Sequence, residues 1–471
     1  MFSKINRFSL IPLIILALIT VSSCKKKDKI DSNPSLKLTF STDTVFFDTV
    51  FTTVGSVTQR LMVHNNNASK LQISSIRLGG GSSSVFSLNI DGTPASSVSD
   101  VEIEGHDSIF IFVKVTLNPN NQNNPLVITD SILFNTNGNL QQVALIAWGQ
   151  DAYFYKNKKL TGDVTWDSIK PRVIYGYLRI DTGASLTINA GTKLYFHKSA
   201  YLAVSHLSRI DIEGNLDHPV RLQGDRLDPF YRDLPGQWNG IYLEKGSHDN
   251  VVKYAVIRNG NTGIAVDSAV NINGTPMLTI EETIIQNMAG SDIYAYATNI
   301  LSTNCVLGNC GSAALALDFG GSYKFIQMTI GNFWTSSVRT QSALYLNNYI
   351  TDTLGRQTSN ALINADFGNS IIYGDQEDEL TFDKNATAPF NFTFNYCLLK
   401  TLKSTSDPLH YNTCIVNKDP GFVDVQKFDF EIDSISAAIG QGNSFFGFPT
   451  DIKGNPRNPN YDQGAYQYIP K

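Results

Sequence analysis

From residue 251 to residue 347, apolar and polar positions alternate in short runs, and the runs repeat. Four segments, 251–259, 279–287, 301–309 and 324–332, align on a terminal asparagine: Asn259, Asn287, Asn309 and Asn332. Two residues before it stands an aliphatic side chain each time, Ile257, Ile285, Leu307 or Ile330. Four before it stand Ala255, Thr283, Cys305 and Met328. After a short polar stretch comes a second alternating run, at 263–267, 292–296, 314–318 and 343–347. Alternation with period two predicts strands. The asparagines recur at intervals of 28, 22 and 23 residues, and such a period with one strand–turn–strand unit per copy predicts a solenoid. One unit cannot bury its own apolar face; stacked copies one strand spacing apart bury a continuous column. Asparagine suits the corner because it tolerates left-handed backbone and can bond its own turn. Stacked, the four would form an amide ladder from rung to rung. The expected fold of this stretch is all-β, a right-handed, single-stranded parallel β-helix.

Residues 35–150 carry a different rhythm. Short strands alternate with polar turns at 37–40, 44–47, 60–64, 71–78, 108–115, 131–135 and 141–148, a spacing that suits a sandwich. The runs 79–84 and 118–124 are loops by composition. The segment resembles the immunoglobulin-like domains of the ASPM/SPD-2/Hydin type. Asp48-Thr-Val50, Leu61-Met-Val-His-Asn65, Phe86-Ser-Leu88, Ile109-Phe-Ile-Phe-Val113 and Ala144-Leu-Ile-Ala-Trp-Gly149 carry the resemblance. It implies a spacer or binding module, and the residues of this segment show no catalytic arrangement.

Residues 151–440 form the expected coil. From Trp166 onward the order of phrases resembles bacterial right-handed β-helix proteins of the pectate-lyase-like superfamily. Those phrases are Leu186-Thr-Ile-Asn-Ala-Gly-Thr192, Lys193-Leu-Tyr-Phe196, Leu202-Ala-Val204, Ile210-Asp-Ile-Glu-Gly214, His218-Pro-Val-Arg-Leu222 and Trp238-Asn-Gly-Ile-Tyr242. Gly191 and Gly214 are expected at turns with positive φ, and Trp238 is expected to pack under the first full rung. The end of the chain resembles the closing segment of such helices, loosely, through Ser436-Ala-Ala-Ile-Gly-Gln-Gly442. Residues 441–471 are therefore expected to cap the coil, since an open sheet end invites aggregation.

The N-terminus changes the setting. Lys4 and Arg7 precede an apolar run too short to span a bilayer, and Thr20-Val-Ser-Ser-Cys24 follows. Small residues before a cysteine resemble a bacterial lipobox. This implies a signal peptide at 1–23, lipidation of Cys24, a tether at 24–34, and an outer-membrane, surface-directed protein held by its lipid. Loss of 1–23 removes Lys4 and Arg7 and moves the formal charge from −5 to −7, which does not favour nucleic acid. Cys305, Cys310, Cys397 and Cys414 show no zinc spacing. Cys305 and Cys397 fall in the inward column and Cys414 in a loop; buried thiols are expected, and no metal or cofactor is assigned.

In the second runs, alternation turns Ile264, Val266, Ile293, Leu315, Leu317, Leu344 and Leu346 inward. The outward positions stack as Ala265, Tyr294, Ala316, Tyr345 and as Asp267, Tyr296, Asp318, Asn347. Tyrosine rings offer flat apolar area, and carboxylates accept hydroxyl bonds from sugars. Asp267, Tyr294, Tyr296, Asp318, Tyr345 and Asn347 are thus candidate glycan-binding residues. A solvated polar wall is the plain alternative. Asp267 and Asp318 two rungs apart would stand about 9.6 Å from each other, at the upper edge of the separation an inverting glycosidase uses. A lyase needs a base with a cation or metal beside it, and neither column carries Lys, Arg or His. No catalytic residue is assigned. Glycan binding or adhesion is the expected function, with a polysaccharide lyase or glycoside hydrolase as the alternative.

Overall fold

The computed structural model describes residues 29–51, 56, 58–117, 126–228, 230–457 and 459–470. The signal segment, Cys24 and the 118–124 loop lie outside them. Among the described residues, no helix is long and apolar enough to cross a membrane. The chain divides into two compact units between Gln150 and Asp151.

The first unit is a sandwich of two five-stranded sheets. One sheet is ordered Thr39–Phe40, Gln59–Asn65, Asp107–Val115, Phe86–Ile90, Thr93–Pro94. The other is ordered Thr44–Phe51, Asn139–Gln150, Leu126–Thr136, Leu71–Leu78, Ser97–Ile103. Neighbours are antiparallel except Thr44–Phe51, which lies parallel to Asn139–Gln150. Inward residues such as Phe47, Leu61, Ile73, Ile111 and Phe134 fill the space between. The pattern did not reveal Ser97–Ile103: this edge strand is exposed along most of its length, so it carries no alternation to read.

The second unit is one 26-stranded parallel sheet wound into a β-helix, right-handed by the chirality that parallel crossovers obey. Each turn contributes to three faces. In one turn, residues 293–296 lie on the first face, 300–303 on the second and 306–308 on the third. On the first face Ile241, Ile264, Ile293, Leu315, Leu344 and Leu380 stack in register into the core. On the third, Ile257, Ile285, Leu307 and Ile330 are fully buried, as are Thr283 and Met328. Trp238 is fully buried, stacks on Phe196 at 4.2 Å and donates to the Arg258 carbonyl.

The corners differ in part from the expectation. Asn259, Asn287 and Asn309 have positive φ, but Asn332 is not among such residues and ends the strand Thr329–Asn332. Among these four asparagines one amide link joins rungs, Asn287 to Asn259 at 2.8 Å. Asn309 instead donates to the Val425 carbonyl. A second left-handed corner, between the second and third faces, runs Tyr254, Glu282, Asn304, Gln327, Asn369, Tyr396, Thr413. The residue after it points inward and accepts the preceding rung's N–H: Thr283 from Ala255, Cys305 from Thr283, Ser370 from Met328. That demand explains hydroxyls and a thiol in an apolar column. Cys414 belongs to this column too, since Leu398 pairs Ile415. Gly191 has positive φ, whereas Gly214 does not. Gly214 is needed because a Cβ there would sit 2.1 Å from the Tyr254 carbonyl oxygen.

The parallel sheet ends at Ile415–Val416, and the tail turns back. Its described contacts run along the side of the coil instead of over its last rung. Asn304 donates to the Thr450 carbonyl, Gln327 to the Gly464 carbonyl and Asn369 to the Asn443 carbonyl. Phe430, fully buried, lies over Gly308 and Gly331. The tail is a strap across the third face.

Candidate functional site

The first face presents its outward side chains in two columns. The pairing extends the first beyond the residues legible in the repeats: Arg179, Ala203, Tyr242, Ala265, Tyr294, Ala316, Tyr345, Thr381. From Ala203 to Tyr345, small and aromatic residues alternate rung by rung. An alanine leaves room for the ring of the next rung to lie down across the sheet. Ala316 is covered, at 6% exposure, between Tyr294 and Tyr345. Tyr294 keeps 37% of its surface in solvent.

The second column lies two residues further along each strand. It holds Glu244, Asp267, Tyr296, Asp318, Asn347 and Asp383, with Tyr296 paired to Asp318 and Asn347 to Asp383. Two tyrosine hydroxyls bind into it, whereas Tyr242 donates to the Asn239 carbonyl. Tyr294 donates to Asp318 at 2.9 Å and Tyr345 to Asp383 at 3.2 Å. These bonds fix ring orientation. Burial first, then the Asp318 carboxylate, holds the Tyr294 hydroxyl well above the usual tyrosine range. Burial pushes Tyr345 up to about 12. Both therefore act as neutral hydrogen-bonding groups.

Arg179, Tyr201, Tyr242, Ala265, Asp267 and Tyr294 are among the walls of an open cleft of about 510 Å³. Arg179 is the one cation among the described residues lining it, and it is engaged: Glu244 accepts at 2.7 Å and Ser205 at 2.9 Å. It stands three rungs from Asp267's strand. No group of three metal-ligating side chains occurs among the described residues.

Five of the six sequence-derived candidates, Asp267, Tyr294, Tyr296, Asp318 and Tyr345, lie on this face with part of their surface in solvent. Asn347 is corrected: only 4% exposed, it accepts from the backbone N–H of Tyr349 and donates to the Tyr345 hydroxyl. Its oxygen also accepts from the Phe319 N–H, and its nitrogen also faces Asp383, so the amide is engaged on the face itself and at the start of the hairpin Tyr349–Thr351/Gln357–Ser359. Sequence reasoning missed Arg179, Tyr201, Tyr242 and Glu244. The alternation Ala203, Tyr242, Ala265 was the available signal, but the unequal loops between these strands break the period.

Beneath the face, at the start of its strand, Asp292 is fully buried and neither carboxyl oxygen has a hydrogen-bond partner. Burial raises its carboxyl well above the usual range.

No protein-family model and no curated protein matches the chain. Among solved structures, the catalytic domain of a GH87 alpha-1,3-glucanase covers 76% of this chain and 86% of its own, at 11% identity and TM-score 0.20. A family 123 glycoside hydrolase from Clostridium perfringens covers 26% of this chain at 8% identity and TM-score 0.18, and this chain spans 30% of it. The ASH/PapD-like domain of human CEP192 covers 27% of this chain and 95% of its own, at 12% identity and TM-score 0.17. Likeness this low fixes neither family nor activity.

Proposed function

We propose that the protein is a cell-envelope lipoprotein, held in the outer membrane through Cys24, whose β-helix binds glycan without cleaving it. The Ig-like unit of ASPM/SPD-2/Hydin type serves as spacer, and the coil belongs with the pectate-lyase-like helices whose phrases it carries. The alternation of tyrosine and alanine on an open face is the observation that carries the binding function. Ordered rings with tethered hydroxyls make an apolar platform, and the neighbouring carboxylates accept sugar hydroxyls. The engagement of Arg179 by Glu244 supports binding over a lyase, because among the described residues lining the cleft no other side-chain cation stands beside a base.

Affinity electrophoresis in polysaccharide gels tests this. Tyr294→Ala/Tyr345→Ala is expected to lose retention while the melting temperature holds; retention unchanged for a glycan that the parent protein holds refutes it. The register placing Asp267 and Asp318 two rungs apart favours a hydrolase as second reading. Release of reducing sugar by the parent, abolished by Asp267→Asn/Asp318→Asn with retention intact, would establish it.

A further inference from the structure

We propose that the glycan is an extended β-1,4-linked chain, neutral or amine-bearing, lying along the coil axis. This rests on the glycan-binding function above and narrows it. Two observations carry it, one of spacing and one of charge.

Tyr242, Tyr294 and Tyr345 occupy alternate rungs of one column, with Ala265 and Ala316 between. Parallel strands about 4.8 Å apart place equivalent rings about 9.6 Å apart. An extended β-1,4-linked pyranose chain advances close to one strand spacing per sugar. It also turns each ring over relative to the last, so equivalent faces recur at every second sugar. A platform with an aromatic at every second rung and a small residue between matches that two-fold repeat. A chain that winds, such as a β-1,3-linked glucan, loses register after one ring.

The charge is one-sided. Glu244, Asp267, Asp318 and Asp383 flank the ring column, and Glu244 already holds Arg179. A polyuronate would set carboxylate against carboxylate, and like-charge juxtaposition is how a surface rejects a wrong partner. Hydroxyl and ammonium groups meet acceptors instead.

The test uses the full lipidated protein in detergent and four hexasaccharides: β-1,4-linked glucose, β-1,4-linked glucosamine, α-1,4-linked galacturonate and β-1,3-linked glucose. Calorimetry is expected to show binding of one or both of the first two and neither of the others. Each Tyr→Ala change at 242, 294 or 345 is expected to weaken binding by about tenfold. Ala316→Tyr fills the slot between two rings and is expected to abolish hexamer binding, with denaturation of the same sample showing that the variant is folded. Glu244→Gln/Asp267→Asn/Asp318→Asn is expected to weaken the glucosamine hexamer more than the glucose hexamer. Galacturonate or the β-1,3 hexamer bound as well as the β-1,4 chains would overturn the inference and leave the glycan face standing. Ala316→Tyr binding like the parent would overturn the axial register. Absence of binding to every hexamer overturns the inference; absence from a broad glycan array as well overturns the glycan function with it.

Discussion

Two outer faces of the same coil, built from different strands of the same turns, have opposite fates. On the third face the outward column runs Ile284, Val306, Thr329, Ile371, Leu398, with Gly308 and Gly331 beside it. This apolar, grooved wall lies under the strap. On the first face the outward column is tyrosine and alanine flanked by carboxylates, and Tyr294 and Asp267 remain open. Apolar surface of either kind looks alike in a hydropathy count. The difference lies in what remains unsatisfied. The third face has smooth aliphatics and backbone sockets that only packed side chains complement. The first has carboxylates that, after accepting from Tyr294, Tyr345 and Arg179, keep further lone pairs open to solvent. Outward glycine in a coil marks a face that another segment covers; outward tyrosine spaced by alanine marks a face that stays free.

The largest effect should come from the covered face. Phe430→Ala removes a fully buried ring from the sockets at Gly308 and Gly331, at about 3–5 kcal/mol. Chemical denaturation should show that loss, and faster protease cleavage should be confined to residues 417–470. A loss below about 1 kcal/mol would mean that the strap merely rests on the coil.

Between the faces stands Asp292. Its folded pKa is raised above the unfolded value, so the native state holds a proton that the unfolded chain releases near pH 4. The stability it contributes is present below that pH. It falls as pH rises toward the folded value, by up to about 1.4 kcal/mol per pH unit. Asp292→Asn should flatten the decline seen in melts across pH 4–9; parallel parent and variant curves would contradict the buried, neutral carboxyl.

A smaller effect is expected at Glu282, where the corner meets the strap. Burial raises its carboxyl from 4.5 to about 7, against the bond from Asn304 and the charge of buried Arg457. Stability is full below the unfolded value and falls as pH rises from 4.5 through about 7. Hydrogen exchange of residues 450–466 should quicken over that window in the parent and not in Glu282→Gln. Equal exchange in both would remove Glu282 from the latch.

Much of the coil was legible because burial imposes its own parity. The inward residues Ile257, Ile285, Leu307 and Ile330 and the outward tyrosines could be placed from alternation alone. The second corner was not, because Tyr254, Glu282 and Gln327 are poor signals for left-handed backbone; stacking imposes that conformation on them. The strap escaped because its partners are remote in sequence: Gln327 bonds Gly464, and Asn369 bonds Asn443. Asn347 shows the limit of parity. It lies in the outward column, but its oxygen accepts from Phe319 and Tyr349 and its nitrogen donates to Tyr345, contacts that alternation does not reveal.

The smallest expected change in stability accompanies the largest in binding, and that pairing is the account's central claim. Tyr242→Ala/Tyr294→Ala/Tyr345→Ala alters only the open face, so unfolding should shift by no more than about 0.5 kcal/mol per site. The decisive measurement is retention of this triple variant and the parent in gels containing a β-1,4-linked glucan, with denaturation run on the same samples. The account predicts a parent that is retarded and a variant that migrates as in plain gel, with matching denaturation curves. A variant retarded as strongly as the parent, or one that loses retention only because it unfolds, would contradict it.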